Sequence, residues 1–226
     1  MKIGFFTDSH YSSREGRKDS ADKIKNAYKY FEEEKCDLVV FLGDLIDNDS
    51  THEIEKENLK VVAKIINGSP LKTVCLMGNH DGFCIEQDVF YSILQNCTPE
   101  TMKFDGKTLI FMDSCYTDDG VHYSPDVKDD WTNTRFPNVD ALEKEIENAK
   151  GEVYLFTHQV LDTNAQEQHI IHNADEINEM IAKSGKVKTV FQGHYHPGLK
   201  SVHNGINYVT FPAMFENEKA YFVEEI

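Results

Sequence analysis

Seven side chains that can bind a metal ion follow five apolar stretches of this sequence, each at the point where a stretch ends. They are Asp8, His10, Asp44, Asn79, His158, His194 and His196. Nitrogen and oxygen ligands without thiolates are typical of sites for Mn²⁺, Fe or Zn²⁺ rather than Ca²⁺. Seven ligands exceed what one ion with an open coordination position requires. They suit two divalent transition-metal ions about 3.5–4 Å apart, with Asp44 as the bridge.

The five apolar stretches are predicted to be buried β-strands. Residues 38–42 form a continuous apolar run, which is typical of a strand buried on both faces. Gly43 permits a tight turn, and Asp44 follows at the carboxyl end of the strand, where open α/β sheets place their ligands. The other stretches are residues 3–7, 71–77, 153–156 and 187–191. An ordinary polar turn explains any one of these strand ends, but it does not explain why potential metal ligands follow all five strands.

Two strand ends carry potential ligands two residues apart, Asp8 with His10 and His194 with His196. Side chains two apart in an extended segment point the same way, so each pair is expected to face one point. An Asp-x-His pair alone is a weak signal, because turns use the same residues. The third strand is followed by Gly78-Asn79-His80-Asp81, in which three successive side chains can ligate a metal or transfer a proton.

Segments with helical spacing of apolar residues alternate with these strands, which predicts an α/β fold. The predicted helices are residues 22–34, 53–66, 139–149 and 174–182. Residues 101–113 are predicted to form a hairpin around Asp105-Gly106. Three closing strands are predicted at residues 199–203, 206–211 and 220–223, with Asn204-Gly205 as a turn. No linker-like stretch divides the 226 residues, so we expect a single domain over residues 1–226.

The composition argues against several partners and locations. A formal net charge of −16 does not suit a surface for nucleic-acid polymers, and an anionic substrate would need added cations such as metal ions. The N-terminal apolar run is too short for a signal peptide, and no segment approaches the roughly 18 apolar residues of a membrane span. Five cysteines without CxxC spacing predict free thiols. We therefore expect a cytoplasmic protein without a membrane partner.

Residues 114–137 form the least regular segment of the chain, a polar stretch with one glycine and two prolines. So long a loop within a compact domain is usually functional. Trp131, Arg135, Tyr123 and His122 could face a substrate there, and they could equally pack the loop onto the domain.

The complete, ordered set of motifs resembles that of the calcineurin-like metallophosphoesterases. The set is Asp8-x-His10, Gly43-Asp44-x-x-Asp47, Gly78-Asn79-His80-Asp81, His158 and Gly193-His194-x-His196, in family order. The resemblance implies two facing mixed β-sheets flanked by helices, which fits the closing strands of this chain. It also implies a dinuclear metal-dependent phosphoesterase, in which a metal-bridging hydroxide attacks the phosphorus.

The resemblance further implies a role for each residue. One metal would be held by Asp8, His10, Asp44 and His196. The other would be held by Asp44, Asn79, His158 and His194. His80 would be the acid outside both metal shells that meets the phosphate and the leaving group, and Asp47 would orient it.

One departure from the protein phosphatases of this family concerns the substrate. Those enzymes follow the Gly-Asp-x-x-Asp motif with Arg-Gly, and that arginine grips the phosphoryl oxygens, whereas Asn48 and Asp49 follow Asp47 here. The three arginines of the chain are Arg14, Arg17 and Arg135, of which Arg14 and Arg135 lie in loops that could reach a substrate. The stretch from residue 193 to residue 223 loosely resembles the manganese-dependent ADP-ribose/CDP-alcohol diphosphatase branch.

Without that arginine the metals must carry most of the phosphoryl charge, and a diester or diphosphate linkage carries less charge on the reacting phosphorus. We therefore expect a small phosphodiester or nucleoside-diphosphate-type substrate, with Trp131 or Tyr123 stacking on a base and Arg135 meeting a second phosphate. A phosphomonoesterase or protein phosphatase of the same fold is the alternative. A non-catalytic scaffold would be expected to have lost ligand side chains, and none is missing. The sequence leaves the oligomeric state open.

Overall fold

Two β-sheets lie face to face at the centre of the fold, with helices on their outer surfaces. The computed structural model describes residues 1–127 and 130–226. Residues 128–129, which fall within the predicted loop 114–137, lie outside the described residues. The prediction of two facing mixed sheets flanked by helices is confirmed.

The first sheet has four strands with a parallel centre. They are β1 Lys2–Phe6, β2 Leu38–Phe41, β3 Thr73–Cys75 and, from the end of the chain, β10 Tyr221–Glu225. Their order is β10-β1-β2-β3, with β1, β2 and β3 parallel and β10 antiparallel to β1. Parallel strands end at the same edge of a sheet, so the residues that follow them lie together.

The second sheet has six strands with parallel inner strands. They are β4 Met102–Phe104, β5 Lys107–Met112, β6 Glu152–Thr157, β7 Val187–Gln192, β8 Leu199–His203 and β9 Ile206–Thr210. The order is β4-β5-β6-β7-β9-β8, and β4 and β8 pair antiparallel with their neighbours. The predicted hairpin turns at Asp105-Gly106 and Asn204-Gly205 are confirmed, and all four residues have the positive φ of a tight hairpin turn.

The helices pack on the outer faces of both sheets. They are α1 Ser20–Glu33, α2 His52–Asn67, α3 Asn79–Cys84, α4 Gln87–Leu94, α5 Val139–Asn148 and α6 Ala174–Ser184. The apolar faces of α1, α2 and α4 share one core with the first sheet, and those of α5 and α6 share another with the second sheet. Asn79 begins a helix rather than continuing a loop.

Aromatic side chains fill the space between the sheets. The ring centroid of Phe5 lies 4.7 Å from that of Phe191, 4.8 Å from that of Phe211 and 6.0 Å from that of Phe156. These rings are at most 3 % exposed. Burial of each contributes about 1.5–3 kcal/mol, so this layer holds the two sheets, and therefore their carboxyl edges, in a fixed relation.

All five cysteines are buried with free thiols, as predicted. Across residues 1–127 and 130–226, no helix has the length and apolar character needed to cross a membrane. A single domain over residues 1–226 and a cytoplasmic location stay predictions.

Glu55 in the first turn of α2 is fully buried, and burial raises the pKa of its carboxyl to about 7. Its Oε2 accepts a hydrogen bond from Asn58 Nδ2 at 2.8 Å, whereas Oε1 has no partner among the described residues. Between pH 4.5, the ordinary pKa of the group, and about pH 7, Glu55 keeps a proton in the folded protein that it releases in the unfolded chain. Stability therefore falls as the pH rises through this window.

Glu55→Gln should abolish this loss of stability. We expect the free energy of unfolding of the variant to match that of the wild type near pH 4 and to exceed it by roughly 2–4 kcal/mol at pH 8. Urea denaturation at both pH values measures the difference, with Glu57→Gln on the exposed side of the same helix as the control. A gain that is the same at pH 4 and pH 8 would contradict the assignment.

Candidate metal centre

The seven predicted metal ligands lie together at the carboxyl edges of the two sheets. Asp8 and His10 follow β1, Asp44 follows β2, Asn79 follows β3, His158 follows β6, and His194 and His196 follow β7. All are buried except His196, whose side chain is 31 % exposed. Residues that are far apart in the sequence, such as Asp8 and His196, therefore lie together in the folded chain.

The backbone turns sharply at four of these residues. Asp8, His10, Asp44 and His194 have φ of 50°, 41°, 58° and 63°, a left-handed conformation that is uncommon outside glycine and is concentrated at functional sites. The extended segment of β1 ends at Phe6, so the predicted reason for the convergence of Asp8 and His10 is wrong. Their side chains converge because the loop after β1 is hydrogen-bonded to the loop after β2, with His10 N donating to Asp44 O at 3.1 Å.

Asp8, His10 and His196 form a first group, whose possible ligand atoms all lie within 4.8 Å of one another. Asp8 Oδ1 lies 3.7 Å from His10 Nε2 and 3.5 Å from His196 Nε2. Asp8 Oδ2 accepts hydrogen bonds from Thr7 Oγ1 at 2.5 Å and from the His194 backbone N–H at 3.0 Å. Because these bonds hold one oxygen, the carboxylate presents the other to the two imidazoles.

Asp44, His158 and His194 form a second group of the same size. Asp44 Oδ2 lies 3.3 Å from His158 Nε2 and 3.7 Å from His10 Nε2, so one carboxylate oxygen faces both groups. Asn79 Oδ1 lies 3.2 Å from His158 Nε2, which places the amide beside the second group. His158 Nδ1 donates to the Leu42 carbonyl at 2.8 Å and so turns Nε2 into the site.

Two motif glycines leave the space that these carboxylates occupy. A Cβ at Gly78 would lie 2.1 Å from Asp44 Oδ1, and a Cβ at Gly193 would lie 2.1 Å from Thr7 Oγ1 and 3.0 Å from Asp8 Oδ2. A side chain at Gly78 would displace the carboxylate of Asp44, and one at Gly193 would displace the Thr7 hydroxyl that holds Asp8. The glycines before Asn79 and His194 are therefore part of the site.

The donor atoms of the site fit metal ions. Asp8 Oδ1, His10 Nε2 and His194 Nε2 are buried and have no hydrogen-bond partner within the described part of the chain. A buried polar atom without a partner costs about 1–3 kcal/mol. All three atoms point into the two groups, where divalent cations would take up their lone pairs.

The charges of the two groups support one another. Burial opposes ionisation of Asp44, yet the positive charges of His158 and His80 hold the pKa of its carboxyl well below the usual value. Burial also opposes protonation of His158, but the carboxylate of Asp44 raises the pKa of this imidazole to about 9. The nearby carboxylates of Asp47, Asp8 and Asp44 likewise raise the pKa of His10 to about 10 against its burial. An imidazole must lose its proton to bind a metal, so metal binding competes with protons and strengthens with rising pH.

His80 and Asp47 form a pair beside the two groups, and His80 also belongs with His10 and Asp44 to a third set whose possible ligand atoms lie within 4.8 Å of one another. His80 Nδ1 donates to Asp47 Oδ1 at 3.1 Å, and the His80 backbone N–H donates to Asp44 Oδ1 at 2.9 Å. The His80 ring meets that of His10 edge-on, with centroids 4.4 Å apart, and its side chain is 27 % exposed. Because Nδ1 is held by Asp47, Nε2 is the ring nitrogen of His80 without a hydrogen bond to residues 1–127 or 130–226.

Two of the predicted substrate residues lie elsewhere. Arg135 is 5 % exposed, and its Nε and Nη1 donate to the backbone carbonyls of Thr132, Glu167 and Ile170. Tyr123 is 2 % exposed, so its ring does not present a face for a base. The expected contacts of Arg135 with a second phosphate and of Tyr123 with a base are corrected accordingly, because both side chains pack the loop onto the domain.

The other two predicted substrate residues remain on accessible surfaces. The Trp131 ring is partly buried and its centroid lies 5.3 Å from that of His194, which places it at the edge of the second group. Arg14 is largely exposed, with Nη1 3.5 Å from Asp49 Oδ2. Contact of either residue with a substrate stays a prediction.

Three residues at the centre were not predicted. The His169 ring lies 5.0 Å from that of His194, the Phe215 ring lies 4.9 Å from that of His10, and Arg17 Nη1 lies 3.4 Å from Asp47 Oδ2. None follows a predicted strand directly, so the strand-end pattern carries no signal for them.

Comparison with known proteins gives consistent matches. A sequence model of the calcineurin-like phosphoesterases matches residues 1–198. A probable cyclic nucleotide phosphodiesterase of Fibrobacter succinogenes is 27 % identical over 210 residues, which cover 87 % of this chain and 73 % of that protein. The uncharacterized metallophosphoesterase YkuE of Bacillus subtilis is 34 % identical over 81 residues, 36 % of this chain and 26 % of that protein. A dimetal phosphatase structure from Danio rerio shares the fold with a TM-score of 0.81 at 15 % identity, covering 99 % of this chain and 91 % of that one.

Asp44→Asn keeps the shape of the side chain but removes the negative charge that faces both groups. We expect metal analysis after Mn²⁺ loading to find fewer than two ions per chain, with an apparent affinity weakened by at least about tenfold. Asp113→Asn is the matched control, since Asp113 Oδ2 accepts a hydrogen bond from His122 Nε2 at 3.0 Å outside these groups. If Asp44→Asn binds as much Mn²⁺ as Asp113→Asn, Asp44 does not hold both groups together.

Proposed function

We propose, from the premise that this chain belongs to the calcineurin-like phosphoesterase family, that it hydrolyses small phosphodiesters or nucleoside-diphosphate-type substrates. Membership of this family makes it a metal-dependent phosphoric ester hydrolase. The proposal adds two points, namely a centre of two divalent transition-metal ions and a small phosphorylated substrate. The proposed metals are Mn, Fe or Zn.

The position of Asp44 is the observation that carries the two-metal proposal. Its Oδ2 lies within 3.7 Å of an imidazole nitrogen from each group. In this proposal Asp8, His10, Asp44 and His196 hold one ion, and Asp44, Asn79, His158 and His194 hold the other. When bound, such ions neutralise phosphoryl oxygens and lower the pKa of a coordinated water, so that hydroxide forms near neutral pH.

His80 is the proposed acid that protonates the leaving oxygen. The pKa of Asp47 lies far below its usual value, because the charge of His10 3.7 Å away and the hydrogen bond from His80 outweigh the effect of burial. Asp47 is therefore a carboxylate that accepts a hydrogen bond from His80 Nδ1. This contact fixes the ring and leaves Nε2 to donate a proton to the leaving group.

Charge and one relative support the substrate class. A diester carries a single negative charge, which suits a chain with a formal net charge of −16 better than a polyanion does. The relative from Fibrobacter succinogenes bears the name of a probable cyclic nucleotide phosphodiesterase. The Trp131 ring beside His194 is the proposed surface on which a nucleobase stacks. No nucleic-acid polymer and no membrane are proposed as partners.

His80→Ala should leave the metal content unchanged and lower kcat by about 10²–10⁴, because the acid lies outside both metal groups. Metal analysis and steady-state kinetics on the Mn²⁺-loaded protein measure the two effects. His203→Ala is the control, since His203 Nε2 lies 3.2 Å from Asp162 Oδ1 in a similar pair. Loss of metal from His80→Ala would mean that His80 is a ligand.

The substrate class is tested by comparing kcat/KM for a cyclic nucleotide, ADP-ribose and a phosphoserine peptide at the same Mn²⁺ loading. We expect one of the two nucleotides to be hydrolysed faster than the peptide. Trp131→Ala should raise KM for that nucleotide and leave KM for bis(4-nitrophenyl) phosphate unchanged if Trp131 stacks on the base. A preference of tenfold or more for the phosphopeptide would refute the proposed substrate class, whereas the metal centre would stand.

A further inference from the structure

Arg17 places a guanidinium at the edge of the metal centre. It lies between β1 and α1, with its Cζ 4.1 Å from the centroid of the Phe215 ring and Nη1 3.4 Å from Asp47 Oδ2. The Phe215 ring in turn meets those of His10 and His196, with centroids 4.9 and 5.1 Å away. A single aromatic ring therefore separates the guanidinium from two of the proposed metal ligands.

The side chain of Arg17 makes no hydrogen bond within the described part of the chain. Its Nη1 is buried and has no hydrogen-bond partner within the described residues, although the charge of Asp47 is close. A guanidinium has five N–H donors in a fixed fork. Arg135, in contrast, donates to three backbone carbonyls, and Lys23 Nζ donates to the carbonyls of Met214 and Phe215. Of these cations, Arg17 is the one with donors left for a ligand.

The guanidinium is also held in place before any ligand binds. The aromatic face of Phe215 and the carboxylate of Asp47 attract it from two directions. Phe215 is itself fixed, because its backbone N–H donates to Asp8 O at 3.1 Å and its carbonyl accepts from Lys23 Nζ at 2.9 Å. A donor fixed in this way loses little freedom when it binds an anion.

We propose that Arg17 is a substrate-binding residue whose guanidinium donates to a non-bridging oxygen of the phosphoryl group at the metal centre. This inference rests on the proposed function. It identifies the side chain of the protein that contributes positive charge to the binding of the phosphoryl group. The residue after Asp47 is Asn48, so no arginine follows this aspartate in the sequence. Arg17, from the loop between β1 and α1, instead places a guanidinium beside the carboxylate of Asp47. One guanidinium matches the single negative charge of a diester.

The test uses inorganic phosphate as the probe and the Mn²⁺-loaded protein. Isothermal titration calorimetry should show the Kd for phosphate rising about tenfold or more in Arg17→Ala, with unchanged metal content. Lys25→Ala removes one exposed positive charge from α1, where Lys25 pairs with Asp22, and should change the Kd less than twofold. Arg17→Met keeps an unbranched apolar side chain without the charge and replaces the alanine variant if that variant is unstable.

Two results would overturn the proposal. The first is a Kd for phosphate in Arg17→Ala within twofold of that of Lys25→Ala, with both proteins folded and equally loaded. The second is a lowered kcat with an unchanged Kd, which means that Arg17 acts only through Asp47. Added guanidinium chloride should partly restore phosphate binding to Arg17→Ala and not alter Lys25→Ala. Phosphate binding does not depend on turnover, so a wild type that hydrolyses no nucleotide would refute the proposed substrate and leave this inference intact.

Discussion

Buried charge at the carboxyl edges of the two sheets is the constraint on which the rest of the structure depends. Asp8, Asp44, His10 and His158 are at most 2 % exposed. Charges so far from water are tolerated only when they are paired or bound to metal. Each carboxylate faces imidazoles from other strands, yet three polar atoms of the site still lack a partner among the described residues, namely Asp8 Oδ1, His10 Nε2 and His194 Nε2. Divalent cations would neutralise the buried carboxylates, and they would also give the unpaired atoms a partner by accepting the lone pairs of the imidazoles.

The fold holds these charges together despite the cost of burying them. Parallel strands in both sheets end at one side of the molecule, and the aromatic layer around Phe5 holds the sheets in register. Left-handed backbone at four ligands turns their side chains inward, and Gly78 and Gly193 leave room for the carboxylates. The hydrogen bonds from the ring of His158 to the Leu42 carbonyl and from the His194 backbone to Asp8 then fix the direction of the ligand atoms. Stability and function therefore rest on the same contacts.

Local pattern predicted which residues converge, because each one follows a strand and a strand end is visible in sequence. The same pattern could not give their conformation, since the positive φ of Asp8 and His10 comes from hydrogen bonds to the loop after β2. It also could not decide which way Arg135 points, because the carbonyls that hold Arg135 belong mainly to residues more than 30 positions away. The position of Arg17 and Phe215 at the site was not predicted for the same reason, because these two residues are far apart in sequence and meet only in the folded chain.

The central claim is a pair of metal ions that share Asp44, and anomalous diffraction from Mn²⁺-soaked crystals tests it most directly. The account predicts two anomalous peaks about 3.5–4 Å apart. One peak should lie among Asp8, His10 and His196, and the other among Asn79, His158 and His194, with the carboxylate of Asp44 between them. A single peak at full Mn²⁺ occupancy, or two peaks of which only one lies beside Asp44, would contradict it.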